Sequence, residues 1–208
     1  MTAAPLLAKA MSLFFLGLVR VLTGAQARWY GCPPKAEQRI YFANHQSHAD
    51  LVMIWAALPD ELRSITRPIA AKDYWTKTNF RRWITTAVFN AVYVDRERKE
   101  SEDPLAPLVG ALEHGDSLII FPEGTRGHAE EPEAFKAGLY NLALKFPDVV
   151  LVPAWIDNIQ RVLPKGEVVP VPILCSVTFG APIKLEAGED RAHFLHRARS
   201  AVIALRDV

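Results

Sequence analysis

The sequence predicts a single α/β domain with a mostly parallel central sheet covered by helices. Three observations carry that reading. Strand-like and helix-like segments alternate from residue 39 to the end of the chain, the order that builds a parallel sheet with helices on its faces. A run such as "AVYV" (91–94) is apolar and β-branched instead of alternating, as expected of a strand buried on both faces. No internal repeat and no linker long enough to split the chain interrupts its 208 residues, a length that buries a proper core as one unit.

The elements follow in order. Residues 1–30 are read as an N-terminal amphipathic helical segment ahead of a domain over 31–208. Within it "AMSLFFLGLV" is apolar between Lys9 and Arg20, too short for the ~20 residues a spanning helix needs. At 100° per residue Lys9, Ser12, Arg20 and Thr23 form one narrow polar stripe on an otherwise apolar helix. Such a helix either packs into the fold or lies in a membrane interface with its basic stripe toward headgroups, and the membrane reading is preferred. A cleaved signal peptide ending at Ala25-Gln26-Ala27 is the least favoured reading, because Arg20 interrupts the approach to that site. Residues 39–43 read as a strand, 47–58 as a helix stopped before Pro59, 68–71 as a short extended piece, and 78–89 as a helix. Strand 91–94 follows. A helix from Ser101 to His114 comes next, with Gly115 at its C′ position. Residues 118–121 form the next strand, 135–146 a helix, 149–156 and 173–179 further strands, and 189–205 a closing helix. Residues 157–172 read as a long loop.

Composition narrows the function classes. The formal charge of +1 gives no argument for nucleic acid, but residues 1–40 hold five basic residues against the single Glu37. A basic end favours anionic partners, a membrane surface among them. The cysteines, Cys32 and Cys175, sit in no CxxC or Cys/His cluster, so neither a disulfide framework nor a zinc site is signalled and a reducing compartment is the simpler reading.

Two stretches carry chemistry. In "YFANHQSHAD" (41–50) a β-prone run ends at Asn44-His45, and Asp50 follows five residues after the histidine. Ser47-x-x-Asp50 fits a capping box that starts a helix, which accounts for Asp50 without any chemistry. It does not account for His45. At a turning strand end an i, i+5 pair can meet, and Asp50 would then bond one imidazole nitrogen and leave the other as a base near neutral pH. In "SLIIFPEGTR" (117–126) a strand runs into Glu123, Gly124, Thr125 and Arg126, at the strand end where open α/β sheets bind ligands. Arg126 suits a phosphate and Gly124 a close backbone approach; a turn with a surface Glu–Arg pair explains the same residues equally well. Lys72, after a short extended segment, and Arg96, past a buried strand, would complete a phosphate pocket or be ordinary solvated charges.

These residues resemble a family. Asn44-His45-x-Ser47-x-x-Asp50, Tyr93-Val94-Asp95-Arg96, Phe121-Pro122-Glu123-Gly124-Thr125-Arg126 and Val152-Pro153 look like the four ordered motifs of the glycerolipid acyltransferases, of the 1-acyl-sn-glycerol-3-phosphate (lysophosphatidic acid) acyltransferase type. Phe135-Lys136-Ala137-Gly138 matches a further F-K-x-G element. The sequence departs from the pattern at Asn90, where glycine usually opens the second motif, and at Gly127, where serine is common. The resemblance implies an acyl transfer in which His45, oriented by Asp50, deprotonates a lysophospholipid hydroxyl that attacks an acyl thioester, acyl-CoA or acyl carrier protein. It implies that Glu123, Gly124, Thr125 and Arg126, helped by Arg96 and Lys72, hold the acceptor, and that Val152-Pro153 shape the donor side. It implies no metal, no cofactor beyond the acyl donor, and a place at the cytoplasmic face of a membrane.

Two rivals remain. Gly115-Asp116-Ser117-Leu118 with Asp190-Arg191-Ala192-His193 spells the motifs of a serine esterase using Ser117, Asp190 and His193, but Ser117 lies mid-chain and precedes its strand. A non-catalytic lipid-binding module would use the same basic pocket without needing His45. His193 and His196 lack a third metal ligand and read as a solvated helix face.

Overall fold

The computed structural model describes residues 3–24, 26–47, 49–95, 103–127, 129, 131–157 and 174–208. Arg96, the Ser101 cap, the start of the 173–179 strand and nearly all of the 157–172 loop lie outside the described residues. Seven strands form one sheet: β1 (Gln26–Trp29), β2 (Arg39–Ala43), β3 (Thr66–Ala71), β4 (Val92–Val94), β5 (Ser117–Ile120), β6 (Val150–Asp157) and β7 (Ser176–Phe179), in the order β1-β7-β6-β2-β5-β3-β4. Every neighbouring pair is parallel except β6–β7. The predicted α/β class with a mostly parallel sheet is the observed one.

β2 is central, and all five of its residues are buried. Its alternation divides the core: Tyr41 and Ala43 pack on one face, Ile40 and Phe42 on the other. The first face is covered by α1 (Ala3–Thr23) and α2 (Asp50–Ala57), with Leu62 of the short helix α3 (Asp60–Ser64) and Trp83 of α5 (Asn79–Trp83) packed on the same side, and the second by α6 (Ala106–Glu113), α7 (Gly138–Lys145) and α8 (Arg191–Ile203); the four-residue α4 (Lys72–Trp75) follows β3. Full burial of each large apolar side chain on these faces contributes about 1.5–3 kcal/mol relative to exposure. Because β2, β3, β4 and β5 run the same way, their C-terminal ends meet at one edge of the sheet.

Besides the short helices α3 and α4, which the sequence reading did not include, two elements differ from it. Residues 26–29, read as part of the helical N-terminal segment, form an edge strand paired with β7, so the sheet begins before residue 31. The helix predicted over 78–89 is α5 followed by a π-helical turn, Ile84–Val88. Thr85 Oγ1 donates to the Arg81 and Arg82 carbonyls and Thr86 Oγ1 to those of Arg82 and Trp83. Hydroxyls that compete for helical carbonyls loosen the regular ladder.

Helix α1 is apolar on its outer face as well as its inner one. Leu16 and Thr23 are buried, and Phe15 and Val19 pack on the core, with Phe15 6.3 Å from the Phe89 ring. Leu7, Leu13, Phe14, Leu18 and Val21 point outward, Val21 81% exposed. The polar stripe is split: Thr23 Oγ1 bonds the Val19 carbonyl inside, while Lys9 and Arg20 stay exposed beside the apolar face. No helix among the described residues is long and apolar enough to cross a membrane.

Candidate active site

Where β2 ends, Asn44 ties the chain to β6: its Nδ2 donates to the Ile156 carbonyl (3.1 Å) and its Oδ1 accepts from Ile156 N–H (2.8 Å). The chain then turns into α2, and the turn brings His45 Nδ1 within 2.9 Å of Asp50 Oδ2. The same oxygen accepts the backbone N–H groups of Gln46 (2.6 Å) and Ser47 (2.8 Å). Asp50 is only 1% exposed, so its orientation is set entirely by these bonds and not by water. The two sequence readings of Asp50 are therefore compatible. It reaches back to Ser47 as the acid of a capping box does, and it also orients the histidine. The helix itself has Ala49 at its N-cap, with no side-chain cap. With Nδ1–H donated to Asp50, Nε2 carries the free lone pair.

The second stretch holds the histidine from the other side. Phe121, the first residue past β5, stacks on the His45 ring at 4.2 Å and 16°. Glu123 is buried. Its Oε1 accepts His45 N–H (2.7 Å) and its Oε2 accepts Glu133 N–H (2.8 Å). Burial pushes its carboxyl pKa up, against the lowering effect of those two backbone donors and of nearby His45. Gly127 N–H donates to the His45 carbonyl (2.8 Å). Gly124 has φ +71°, a left-handed conformation that favours glycine, and the Lys136 side chain lies against it.

Two cavities open at His45. The larger, about 510 Å³, is mainly apolar and runs between Ile69, Leu105, Leu108, Ile120, Leu139 and Leu142, with Gly124 and Lys136 also on its wall. Its volume falls in the range of small-molecule sites. The smaller, about 110 Å³, is more polar and holds Arg126, Asp73, Tyr74 and Trp75. His45, Ile69, Ala71 and Phe121 line both. The imidazole thus stands where an apolar compartment meets a polar one.

Of the residues singled out from sequence, His45, Asp50, Glu123, Gly124 and Arg126 come together here. Thr125 is exposed on the same turn. Lys72 lies at the start of α4, 3.9 Å from Asp95 and lining neither cavity. Glu123 has both oxygens bonded to backbone, not turned toward either cavity. Val152 and Pro153 sit inside the sheet opposite Tyr41 and Phe42, away from both cavities. Sequence reasoning missed Phe121 as a ring partner for His45 and missed Lys136 and Tyr74 as cavity residues. Tyr74 also carries the Arg81 guanidinium over its ring at 4.7 Å. Phe121 and Lys136 lie in the F-P-E-G-T-R and F-K-x-G matches without a role having been read for them, and no motif pointed at Tyr74.

The esterase residues are occupied elsewhere. Ser117 is buried and its Oγ accepts Arg39 N–H at the opposite end of the sheet. Asp190 caps α8 by accepting from Ala192 and His193, and His193 Nδ1 bonds Glu189. Among the described residues no group of His, Cys, Asp or Glu is placed to hold a metal.

The chain is similar to known proteins. Residues 32–157 match the family model described as Acyltransferase. The 1-acyl-sn-glycerol-3-phosphate acyltransferase alpha of Mus musculus is 28% identical over 138 residues, 64% of this chain and 45% of the relative. The 1-acyl-sn-glycerol-3-phosphate acyltransferase of Cocos nucifera is 30% identical over 167 residues, 73% of this chain and 47% of the relative. The chain thus spans about half the length of the relatives it matches. The crystal structure of the 1-acyl-sn-glycerophosphate (LPA) acyltransferase PlsC from Thermotoga maritima superposes with a TM-score of 0.73 at 20% identity, over 99% of this chain and 80% of that one, a likeness of fold. With a family match over more than half its length, centred on the segment that holds His45, Asp50 and the 121–126 turn, the chain belongs to the acyltransferase family.

Proposed function

We propose that this protein transfers a fatty acyl group from an acyl thioester, acyl-CoA or acyl carrier protein, to the free hydroxyl of a lysophospholipid such as 1-acyl-sn-glycerol-3-phosphate. One observation carries the reading: the Asp50-oriented His45 stands at the junction of an apolar cavity and a polar one that holds Arg126. Such a junction suits an amphiphile whose reacting group lies between a chain and a phosphate. Arg126 has no ion-pair partner among the described residues and is exposed, so it is available to an anionic headgroup.

The chemistry follows from the groups present. His45 Nε2 takes the proton of the acceptor hydroxyl as its oxygen attacks the thioester carbonyl. The C–S bond breaks as the new C–O bond is completed, and the thiol departs as thiolate, which a leaving-group pKa of ~8.5 permits. The imidazolium returns its proton to that thiolate. Asp50 stabilises the imidazolium and keeps Nε2 directed outward.

The outward apolar face of α1, flanked by Lys9 and Arg20, supports a membrane-surface location that would deliver lysolipid to the site. Cys32 and Cys175 are buried as thiols and not joined in a disulfide, which suits a reducing, cytoplasmic side. The test is acyl transfer from a labelled thioester, as CoA and as carrier-protein conjugate, to a panel of lysolipids presented in vesicles. Transfer to a phosphate-bearing acceptor is expected. Release of free fatty acid alone, with no acylated lipid from any member of the panel, would overturn the reading.

A further inference from the structure

We propose that Glu123 is a positioning residue that sets the His45 backbone, and not a contact for the acyl acceptor; this rests on the acyl-transfer reading above. A carboxylate in a phosphate-binding turn would repel an anionic acceptor, and here it faces neither cavity. Its two oxygens are divided between His45 N–H at 2.7 Å and Glu133 N–H at 2.8 Å. The residue is 2% exposed and lines neither cavity.

The bond to His45 is half of a clamp. Gly127 N–H holds the His45 carbonyl at 2.8 Å, so both backbone polar groups of the histidine are bound by the turn that also carries Arg126. The side chain of His45 is in turn fixed by Asp50 and Phe121. Base and acceptor-holding arginine thereby sit on one mechanical unit. The bond to Glu133 extends it to the segment whose Lys136 N–H bonds the Pro122 carbonyl (2.9 Å) and whose side chains wall the apolar cavity.

Gly127 belongs to the same device. A Cβ at this position would lie 3.1 Å from Glu123 Oε2, tighter than ordinary contact. The absence of a side chain there leaves the carboxylate room to reach both donors. No such constraint follows from a turn whose only task is to bind phosphate.

The test compares Glu123→Gln and Gly127→Ala with the wild-type chain. Gln keeps the shape but sets an NH₂ group against one of the two backbone donors. Misplacement of a reacting group by about 1 Å costs roughly 100-fold in rate, so Glu123→Gln is expected to lower kcat by about that factor with KM for the lysolipid within about twofold. The NMR resonances of the His45 imidazole should move, and His45 N–H should exchange faster with solvent. Gly127→Ala should shift the same observables in the same direction by less, and it serves if Glu123→Gln does not fold. A raised KM with kcat retained would assign Glu123 to the acceptor and overturn the proposal. So would a lowered Tm with the His45 resonances, its N–H exchange and turnover per folded molecule unchanged, the mark of a purely structural residue. If the wild-type chain transfers no acyl group at all, the acyl-transfer reading fails on its own, and the NMR and exchange measurements still decide what Glu123 does to His45.

Discussion

The two ends of strand β2 hold buried polar clusters of similar make-up, and only one of them can be a site. At the N-terminal end Arg39, 1% exposed, donates to Glu37 (2.6 Å), the Pro33 carbonyl (2.9 Å) and Cys32 Sγ (3.4 Å), while its N–H bonds Ser117 Oγ (2.9 Å). At the C-terminal end stand His45, Asp50 and Glu123. Each end leaves a buried atom unpaired, Arg39 Nε at one and Asp50 Oδ1 at the other. Burial alone therefore does not separate them. Access does: both cavities open on His45, and neither touches Arg39, Cys32 or Ser117. Reactivity separates them too. Burial pushes the Tyr41 phenol to about 12 and raises the Cys32 thiol in spite of the neighbouring guanidinium, so neither is ionised near neutral pH. A buried polar group marks a functional place only when a reactive atom is left over and a cavity reaches it.

The largest effect expected from breaking this contrast is at the reactive end. His45→Ala should lower kcat by about 100- to 10,000-fold, the contribution of a positioned general base, with turnover read per folded molecule and lysolipid binding retained in a vesicle co-sedimentation assay. Retained turnover would move the base elsewhere. Arg126→Ala removes a charge-assisted contact worth about 1.5–3 kcal/mol, so KM for a phosphate-bearing acceptor should rise about 10- to 100-fold with kcat nearly kept. Steady-state kinetics with acceptors differing in headgroup measures this. An equal loss with an uncharged acceptor would take Arg126 out of headgroup recognition.

The sequence disclosed the strands better than what lies at their ends. Residues 39–43 are read correctly because every position is apolar or pairs internally, and β5 and β6 shift by only one residue from the prediction. β1 was hidden because "QARW" is short, half polar and made a strand only by its partner β7, 150 positions along the chain. The π-turn was hidden because the helical pattern over 78–89 continues through it; the deviation arises in hydroxyl bonds that periodicity does not register. At the site, spacing placed His45 beside Asp50, because a five-residue turn leaves the pair few alternatives. Spacing had no means of showing that Glu123 points inward. That depends on backbone donors at 45 and 133, segments 78 and 10 residues away.

At the inert end of β2 the contrast predicts a loss of stability without a loss of chemistry. Ser117→Ala leaves the buried Arg39 N–H without its acceptor, a cost of about 1–3 kcal/mol, read by urea denaturation. Turnover per folded molecule should match wild type, since Ser117 Oγ already accepts a backbone bond at the edge of the sheet away from His45. Loss of turnover with stability intact would restore the serine-esterase reading and undo the distinction between the two ends.

The smallest effect is expected at Glu189, where a charge is held for structure alone. Arg197 donates to both of its oxygens, at 2.9 and 2.6 Å, and His193 to one at 2.9 Å, binding the chain ahead of α8 to the helix. The Arg197 bonds, chiefly, lower its carboxyl from 4.5 to about 2. A carboxyl lowered in the folded state is stabilising above its unfolded pKa, and the contribution disappears as pH falls through the folded one. Glu189→Gln should therefore be less stable than wild type at neutral pH, and the difference should shrink from about 4.5 downward to about 2. Paired urea denaturation curves across that range measure it, with activity at neutral pH unchanged. A stability gap that stays constant with pH would mean that Glu189 holds α8 by shape and hydrogen bonding, with its charge contributing nothing.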